Sequence, residues 1–284
     1  MPLVKVNELL HHATENGYGV AAVNVFNYET IKWVAEAANR ERIPVIIQFY
    51  PGFDKYIALK HVAAIAKDFA EKSSVPIGVH LDHSAGYEIA VSGVRDGFPS
   101  VMVDGSALPY EENMALTAAV VKTAAVFGVD VEAELGHVGS GANLDDIVNS
   151  DHYTDVKQAV EFVKCTGCGS LAVAVGNAHG AYVQTPNLDF DRIASLRSAL
   201  PIPLVLHGCS DIPLEQLQES VRLGMSKFNI ATEYFRACYH GVVQHGDPAE
   251  KNGDMFRLMM ETSENAIDFV RGKMRLLNPN KFTF

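Results

Sequence analysis

Apolar residues along this chain follow two alternating periods. Short apolar runs stand at Tyr18–Val25, Ile43–Tyr50, Pro76–Leu81, Ser100–Val103, Val129–Leu135, Ser170–Val175, Ile202–Leu206 and Lys227–Ala231. They are largely continuous rather than alternating, the pattern of strands buried on both faces. Longer segments with helical spacing lie between them. Thr30–Asn39 places Ile31, Val34, Ala35 and Ala38 on one face, and Leu59–Ala70 follows the same spacing with Leu59, Val62, Ala63, Ile65, Ala66 and Phe69. Glu111–Phe127, Asp155–Lys164, Phe190–Leu200 and Leu214–Leu223 repeat the pattern. Gly128, Gly169 and Gly224 punctuate helix ends, and Pro44, Pro76 and Pro203 mark strand entries.

Eight strands alternating with helices predict a parallel sheet covered by helices. Eight such units within 284 residues fit a closed (β/α)8 barrel, the TIM-barrel arrangement. Length alone allows two domains of about 150 residues each; the repeating pattern favours one barrel domain over residues 1–284. An open doubly wound sheet shares the pattern, but no G-x-G-x-x-G follows the first strand. Further helices are predicted at Val4–Glu15 and Thr232–Met274, the second within a C-terminal helical extension over residues 232–284.

Composition narrows the function classes. Hydrophobic residues make up 48% and charged residues 20%, an ordinary globular mix. The formal net charge is −11 with no basic run, which excludes nucleic acid as a partner. An anionic substrate would need local donors strong enough to overcome that field. Met1–Asn16 carries Lys5 and Glu8 and lacks the apolar core of a signal peptide. No stretch approaches the roughly 18 apolar residues of a membrane span. The cysteines are Cys165, Cys168, Cys209 and Cys238; one C-x-x-C pair without a second argues for reduced thiols. The expected location is cytoplasmic, with no membrane partner.

Functional groups of such a barrel gather at the C-terminal ends of its strands. His80-Leu81-Asp82-His83, Asp104-Gly105-Ser106, Gly176-Asn177-Ala178-His179-Gly180, His207-Gly208-Cys209-Ser210 and Asn229-Ile230-Ala231-Thr232 stand there, and Glu132 and Glu134 lie in the fifth strand. His83, His179 and His207 come from three strand ends around one rim, and three histidines with an open position are a catalytic zinc pattern. Each alone is equally a hydrogen-bonded strand-end histidine, and a zinc hydrolase would use the same trio. Glycines after strands seven and eight allow backbone N–H groups to approach an anion, or else form tight turns and helix caps.

The segments HLDH (His80–His83), VMVDGS (Val101–Ser106), VEAELGHVG (Val131–Gly139), SLAVAVGNAHG (Ser170–Gly180), PLVLHGCSDIP (Pro203–Pro213) and KFNIATE (Lys227–Glu233) resemble the class II, metal-dependent ketose-bisphosphate aldolases. The resemblance runs in order from Val4 to about Leu277. It implies reversible cleavage of a ketose 1,6-bisphosphate, tagatose or fructose, to dihydroxyacetone phosphate and glyceraldehyde 3-phosphate. It also implies Zn2+ on His83, His179 and His207, with Asp82 as acid/base. Asp104 and Glu134 match acidic positions that hold a second metal position or orient ligands. Gly180, Gly208, Cys209, Ser210, Asn229, Ile230, Ala231 and Thr232 match the phosphate-binding positions. A monovalent cation, Na+ or K+, near the phosphate and a homo-oligomer, dimer or tetramer, are also implied. The Asn-x-Ala-Thr-Glu form at Asn229–Glu233 resembles the tagatose-bisphosphate branch more than the fructose branch.

Two departures bear on the substrate. The polar segment Gly136–Tyr153 is a natural lid, but Ala142 and Asn143 replace its usual Glu-Asp pair. Phe49, Tyr50 and Pro51 are bulkier than usual at the second strand's end, so the sugar end of the site is expected to be reshaped. No lysine lies at the C-terminal end of a predicted strand, since Lys227 begins the eighth run; this argues against Schiff-base chemistry.

Overall fold

The computed structural model describes residues 2–250 and 253–284. Its strands are β1 (Val20–Val25), β2 (Val45–Phe49), β3 (Ile77–Ser84), β4 (Ser100–Val103), β5 (Asp130–Leu135), β6 (Ser170–Val173), β7 (Leu204–Leu206) and β8 (Met225–Ile230). Each pairs in parallel with the next, and β8 pairs with β1, closing the barrel. The helices are α1 (Val6–Asn16), α2 (Tyr28–Glu41), α3 (Leu59–Lys72), α4 (Tyr87–Asp96), α5 (Tyr110–Val126), α6 (Leu144–Val148), α7 (Val156–Thr166), α8 (Phe190–Ala199), α9 (Leu214–Arg222), α10 (Thr232–Glu250) and α11 (Met255–Leu276). This is the (β/α)8 barrel with extra helices that the pattern predicts. None of the described helices is long and apolar enough to cross a membrane.

The differences from the predicted elements have local causes. The apolar spacing predicts no helix where α4 stands, and Gly93 inside it weakens intrinsic helix propensity. The structure shows the use of that glycine: a Cβ there would come within 2.3 Å of a Leu81 methyl, so its absence lets α4 lie close on β3. The expected segment Thr232–Met274 contains two helices, α10 and α11, and residues 251–252 of it lie outside the described residues. Short helix α6 sits inside the predicted lid.

The third strand runs three residues beyond its predicted end at Leu81. Its register against β4 shifts there, with Leu81 opposite Val101 and Ser84 opposite Val103. One extra residue is therefore accommodated on β3, a bulge. His83 takes φ +42°, a left-handed conformation uncommon for a non-glycine residue.

Helix α1 closes the N-terminal end of the barrel, where Val6, Leu9, Leu10 and Ala13 pack against Tyr18, Val20, Ala22 and Ile46. The larger core lies between the sheet and the outer helices and includes Val34, Val79, Val101, Phe162 and Leu171. Helix α11 packs along α2, with Glu41 accepting a 2.7 Å hydrogen bond from Arg275 Nε and pairing with Arg271. The N-terminal end and the flank are thus covered, and the C-terminal rim of the strands is left to the loops.

Candidate active site

A cavity of about 450 Å³ opens at the C-terminal rim. Its lining includes Asp82, His83, Asp104, His179, Gly180, Gly208, Ser210, Asn229, Ala231 and Thr232, all singled out by the sequence. His207 and Glu134 lie buried beside it. Cys209 and Ile230 do not line the cavity. Both are buried in the core, and the Cys209 N–H is already donated to the Asn229 carbonyl at 3.1 Å.

The three histidines converge. Ring centroids lie 4.5 Å apart for His83 and His207, 4.8 Å for His83 and His179, and 5.7 Å for His179 and His207. One nitrogen of each ring has an oxygen partner. His83 Nδ1 lies 2.9 Å from Asp104 Oδ2, His179 Nδ1 3.1 Å from the Val138 carbonyl, and His207 Nε2 3.0 Å from Glu132 Oε1. The buried His179 Nε2 and His207 Nδ1 have no hydrogen-bond partner, although Glu134 Oε2 stands 3.3 Å from His207 Nδ1. The three residues offer ligand atoms within 4.8 Å of one another. Oxygen partners on the far nitrogens fix ring orientation and tautomer, as around histidine metal ligands. Buried lone pairs without donors fit a cation, so this donor set fits Zn2+. His83, Asp104 and Glu134 form an overlapping group of the same kind.

Loop geometry places His179. The segment after β5 zips onto the segment after β6: the His179 N–H donates to the Gly139 carbonyl at 2.8 Å, and the Gly141 N–H donates to the His179 carbonyl at 2.7 Å. Tyr182 ties the same segment to the loop after β7, accepting from the Ala178 N–H and donating to the Gly208 carbonyl. At Gly208 φ is +62°, and a Cβ would fall 2.0 Å from the Ala178 oxygen. Only glycine fits that approach.

Asp82 is held by three carboxamides. Asn24 donates to Oδ2 at 3.0 Å, Gln48 to Oδ2 at 3.3 Å and Asn229 to Oδ1 at 3.1 Å. Burial works to raise its pKa, but the neighbouring charges of His83 and Lys227 outweigh it and hold the carboxyl below its ordinary value. Sequence reasoning missed Asn24 and Gln48 as partners. Their signal was a lone polar residue in each of two apolar strands, VAAVNV and VIIQF.

The field around the histidines favours a cation. Burial lowers the His83 pKa, yet Asp82 and the Asp104 hydrogen bond raise it to about 9. Burial, with Asp104 nearby, pushes Glu134 up to about 8. His179 falls to about 4 through burial and the proximity of His83. Below this group, Lys227 Nζ pairs with Glu132 at 2.8 Å, both side chains fully buried in the barrel. His80 is interior, bonded to Ser100 Oγ at 2.7 Å and 3.7 Å from Glu132. Lys227 thus lies inside β8 and does not line the cavity.

A parallel eight-stranded barrel with three convergent histidines beside a fixed carboxylate defines the class: a barrel enzyme scaffold with a rim site suited to a metal ion. The profile of the family described as fructose-bisphosphate aldolase class-II matches residues 4–281, and the chain belongs to that family. The family is one of aldolases, which are lyases. The chain is similar to the YdjI aldolase from Escherichia coli K12, with 34% identity, 97% of each chain covered and a TM-score of 0.87. It shares the fold of the fructose-bisphosphate aldolase from Campylobacter jejuni, with 24% identity, 97% of this chain and 95% of that chain covered, and a TM-score of 0.83.

Proposed function

We propose that this protein is a zinc-dependent aldolase that reversibly splits a phosphorylated ketose into dihydroxyacetone phosphate and an aldehyde. The observation that carries the reading is the set of three histidines, each oriented through one ring nitrogen, in the same cavity as the Asp82 carboxylate. His83, His179 and His207 would hold the ion, and Asp104, Val138 and Glu132 orient those rings. A bound zinc ion supplies Lewis-acid polarisation of the ketone and stabilises the negative charge that develops beside it.

The chain's own groups do the rest. Asp82 takes the proton from the C4 hydroxyl as the C3–C4 bond breaks and C4 becomes the aldehyde carbonyl. The bonding pair stays with the C3 fragment as an enediolate, and a proton returned to C3 completes dihydroxyacetone phosphate. Asn24, Gln48 and Asn229 keep the carboxylate aimed, while the charges of His83 and Lys227 favour its ionised form. The phosphate would rest on Gly180, on the turn Gly208–Ser210 and on the N-terminus of α10 at Ala231 and Thr232, where backbone donors and the helix dipole favour an anion. Such neutral donors are compatible with a chain of net charge −11. The Asn229–Glu233 motif supports the tagatose configuration at C4.

The test is retro-aldol cleavage by the purified zinc-loaded protein, with a panel of C4-epimeric phosphorylated ketoses. Cleavage lost on chelation and in Asp82→Ala is expected. Cleavage that survives both would remove the reading.

A further inference from the structure

The loops that follow the eight strands form the mouth of the cavity, and their charge is lopsided. Among them only the loop after β2 carries a lysine or arginine, Lys55, which is exposed and does not line the cavity. Aspartates stand in five of the eight loops, at Asp54, Asp104, Asp146, Asp189 and Asp211 among others. Arg236, near the start of α10, is engaged by Asp211 in a two-pronged pair, both contacts at 3.0 Å. Among the described residues, no lysine or arginine lines the cavity.

One side of the cavity can take a phosphate without a cationic side chain, through glycine turns and the N-terminus of α10. The rest of its wall is different. Beyond the reacting-site groups already described and the Asn24 carboxamide, Tyr50, Phe53, Ala85, Val138 and Phe235 are apolar or aromatic there, and Asp104 is a carboxylate. Tyr50 stacks edge-on to Phe53 at 5.4 Å, Phe53 meets Phe235 at 5.9 Å, and Phe235 meets Phe26 at 5.2 Å. A second dianionic phosphate against this wall would lose water without gaining a counter-charge from the described residues of this chain, and would face Asp104. Aromatic faces suit the C–H surface of an uncharged polyol, while Asp104 accepts from its hydroxyls.

We propose that the substrate carries one phosphate only, at its ketone end, and that its aldehyde half is an uncharged polyhydroxy aldehyde. The protein is then an aldolase of ketose 1-phosphates rather than of 1,6-bisphosphates. This rests on the aldolase reading of the site and concerns only the half of the substrate that leaves as aldehyde.

The test runs zinc-loaded enzyme in the condensation direction. Dihydroxyacetone phosphate is paired with glyceraldehyde, with neutral tetroses, or with glyceraldehyde 3-phosphate, and kcat/KM for each aldehyde is compared. Exchange of the C3 proton of dihydroxyacetone phosphate in D2O, followed by NMR without aldehyde, reports the half of the reaction that the aldehyde does not enter. The expected result is exchange together with kcat/KM at least tenfold higher for a neutral aldehyde than for glyceraldehyde 3-phosphate. Exchange with a preference for glyceraldehyde 3-phosphate overturns the single-phosphate proposal and leaves the aldolase reading standing. No exchange and no condensation overturns both. In a second arm, Tyr50→Arg places a cation in the aromatic wall and should move the preference at least tenfold toward glyceraldehyde 3-phosphate. An unchanged preference in that variant also counts against the proposal.

Discussion

Asp82 and His83 are consecutive in β3, yet both side chains face the same cavity. A regular strand sends neighbouring side chains to opposite faces. The extra residue opposite β4 and the φ of +42° at His83 break that alternation and bring a carboxylate and an imidazole to one site. Backbone strain of this kind persists where the surrounding structure holds it. Here Asp82 is fixed by three amides and His83 by Asp104.

If Asp82 moves the C4 hydroxyl proton, Asp82→Asn should lower kcat by about 10²–10⁴-fold. Zinc content should stay at the wild-type level, because the three histidines are untouched. Steady-state kinetics with metal analysis of the same preparation checks both parts. Wild-type kcat in the variant would exclude the role.

Asp104 orients His83 at 2.9 Å. If His83 holds zinc as proposed, Asp104→Ala should weaken zinc affinity by about 10–100-fold, the usual cost of removing an outer partner of a ligating histidine. Competition against a chromophoric chelator reads this directly. An unchanged affinity would mean that the carboxylate does not support the ring.

Gly208 carries the turn after β7 within 2.0 Å, at its missing Cβ, of the Ala178 oxygen. Gly208→Ala should destabilise the protein by roughly 1–3 kcal/mol through strain at its positive φ. If the turn holds the phosphate as proposed, the substitution should also raise KM for the phosphorylated substrate more than it lowers kcat. Denaturant unfolding and initial rates measure the two effects.

Lys227 and Glu132 are a fully buried ion pair at 2.8 Å. Removing one partner leaves the other charge uncompensated, so Lys227→Met should cost about 3–5 kcal/mol. Equilibrium unfolding in urea checks the size. A loss below about 1 kcal/mol would show that Glu132 is neutralised in another way.

Glu41 joins α2 to α11. The Arg275 hydrogen bond, opposed by burial and joined by Arg271, holds its pKa below the ordinary 4.5. A lowered folded-state pKa adds stability that is fully present above the unfolded value and disappears as pH falls through the folded one. The wild type should therefore lose more Tm than Glu41→Gln on going from about pH 6 to about pH 3. Parallel Tm curves for the two proteins would contradict this.

Several of these features were legible in the chain and others were not, for identifiable reasons. Strand positions were legible because a strand buried on both faces must be apolar nearly throughout, and Val45–Phe49 is such a run. The candidate histidines were legible because polar groups at the ends of apolar strands stand out. The strand boundary at Leu81 was not, since the bulge depends on pairing with β4, which lies 20 residues away in sequence at Val101. The burial of the Cys209 side chain was also hidden, because adjacent residues in a tight turn point in different directions.

By itself, the order of apolar runs and helical segments determined the barrel, because each element must bury a face of a set periodicity. It also determined which strand ends carry polar groups in place of apolar ones. Only the tertiary structure decided how those groups meet. Asn24, Gln48 and Asn229 converge on Asp82 from three strands, and Glu132 reaches both His207 and Lys227 across the barrel interior. It also decided that no described lysine or arginine lines the cavity. Hydrophobic periodicity is local and is written residue by residue. Orientation and electrostatic environment arise from residues tens to hundreds of positions apart, and they exist only once closure of the sheet brings those residues within a few ångströms.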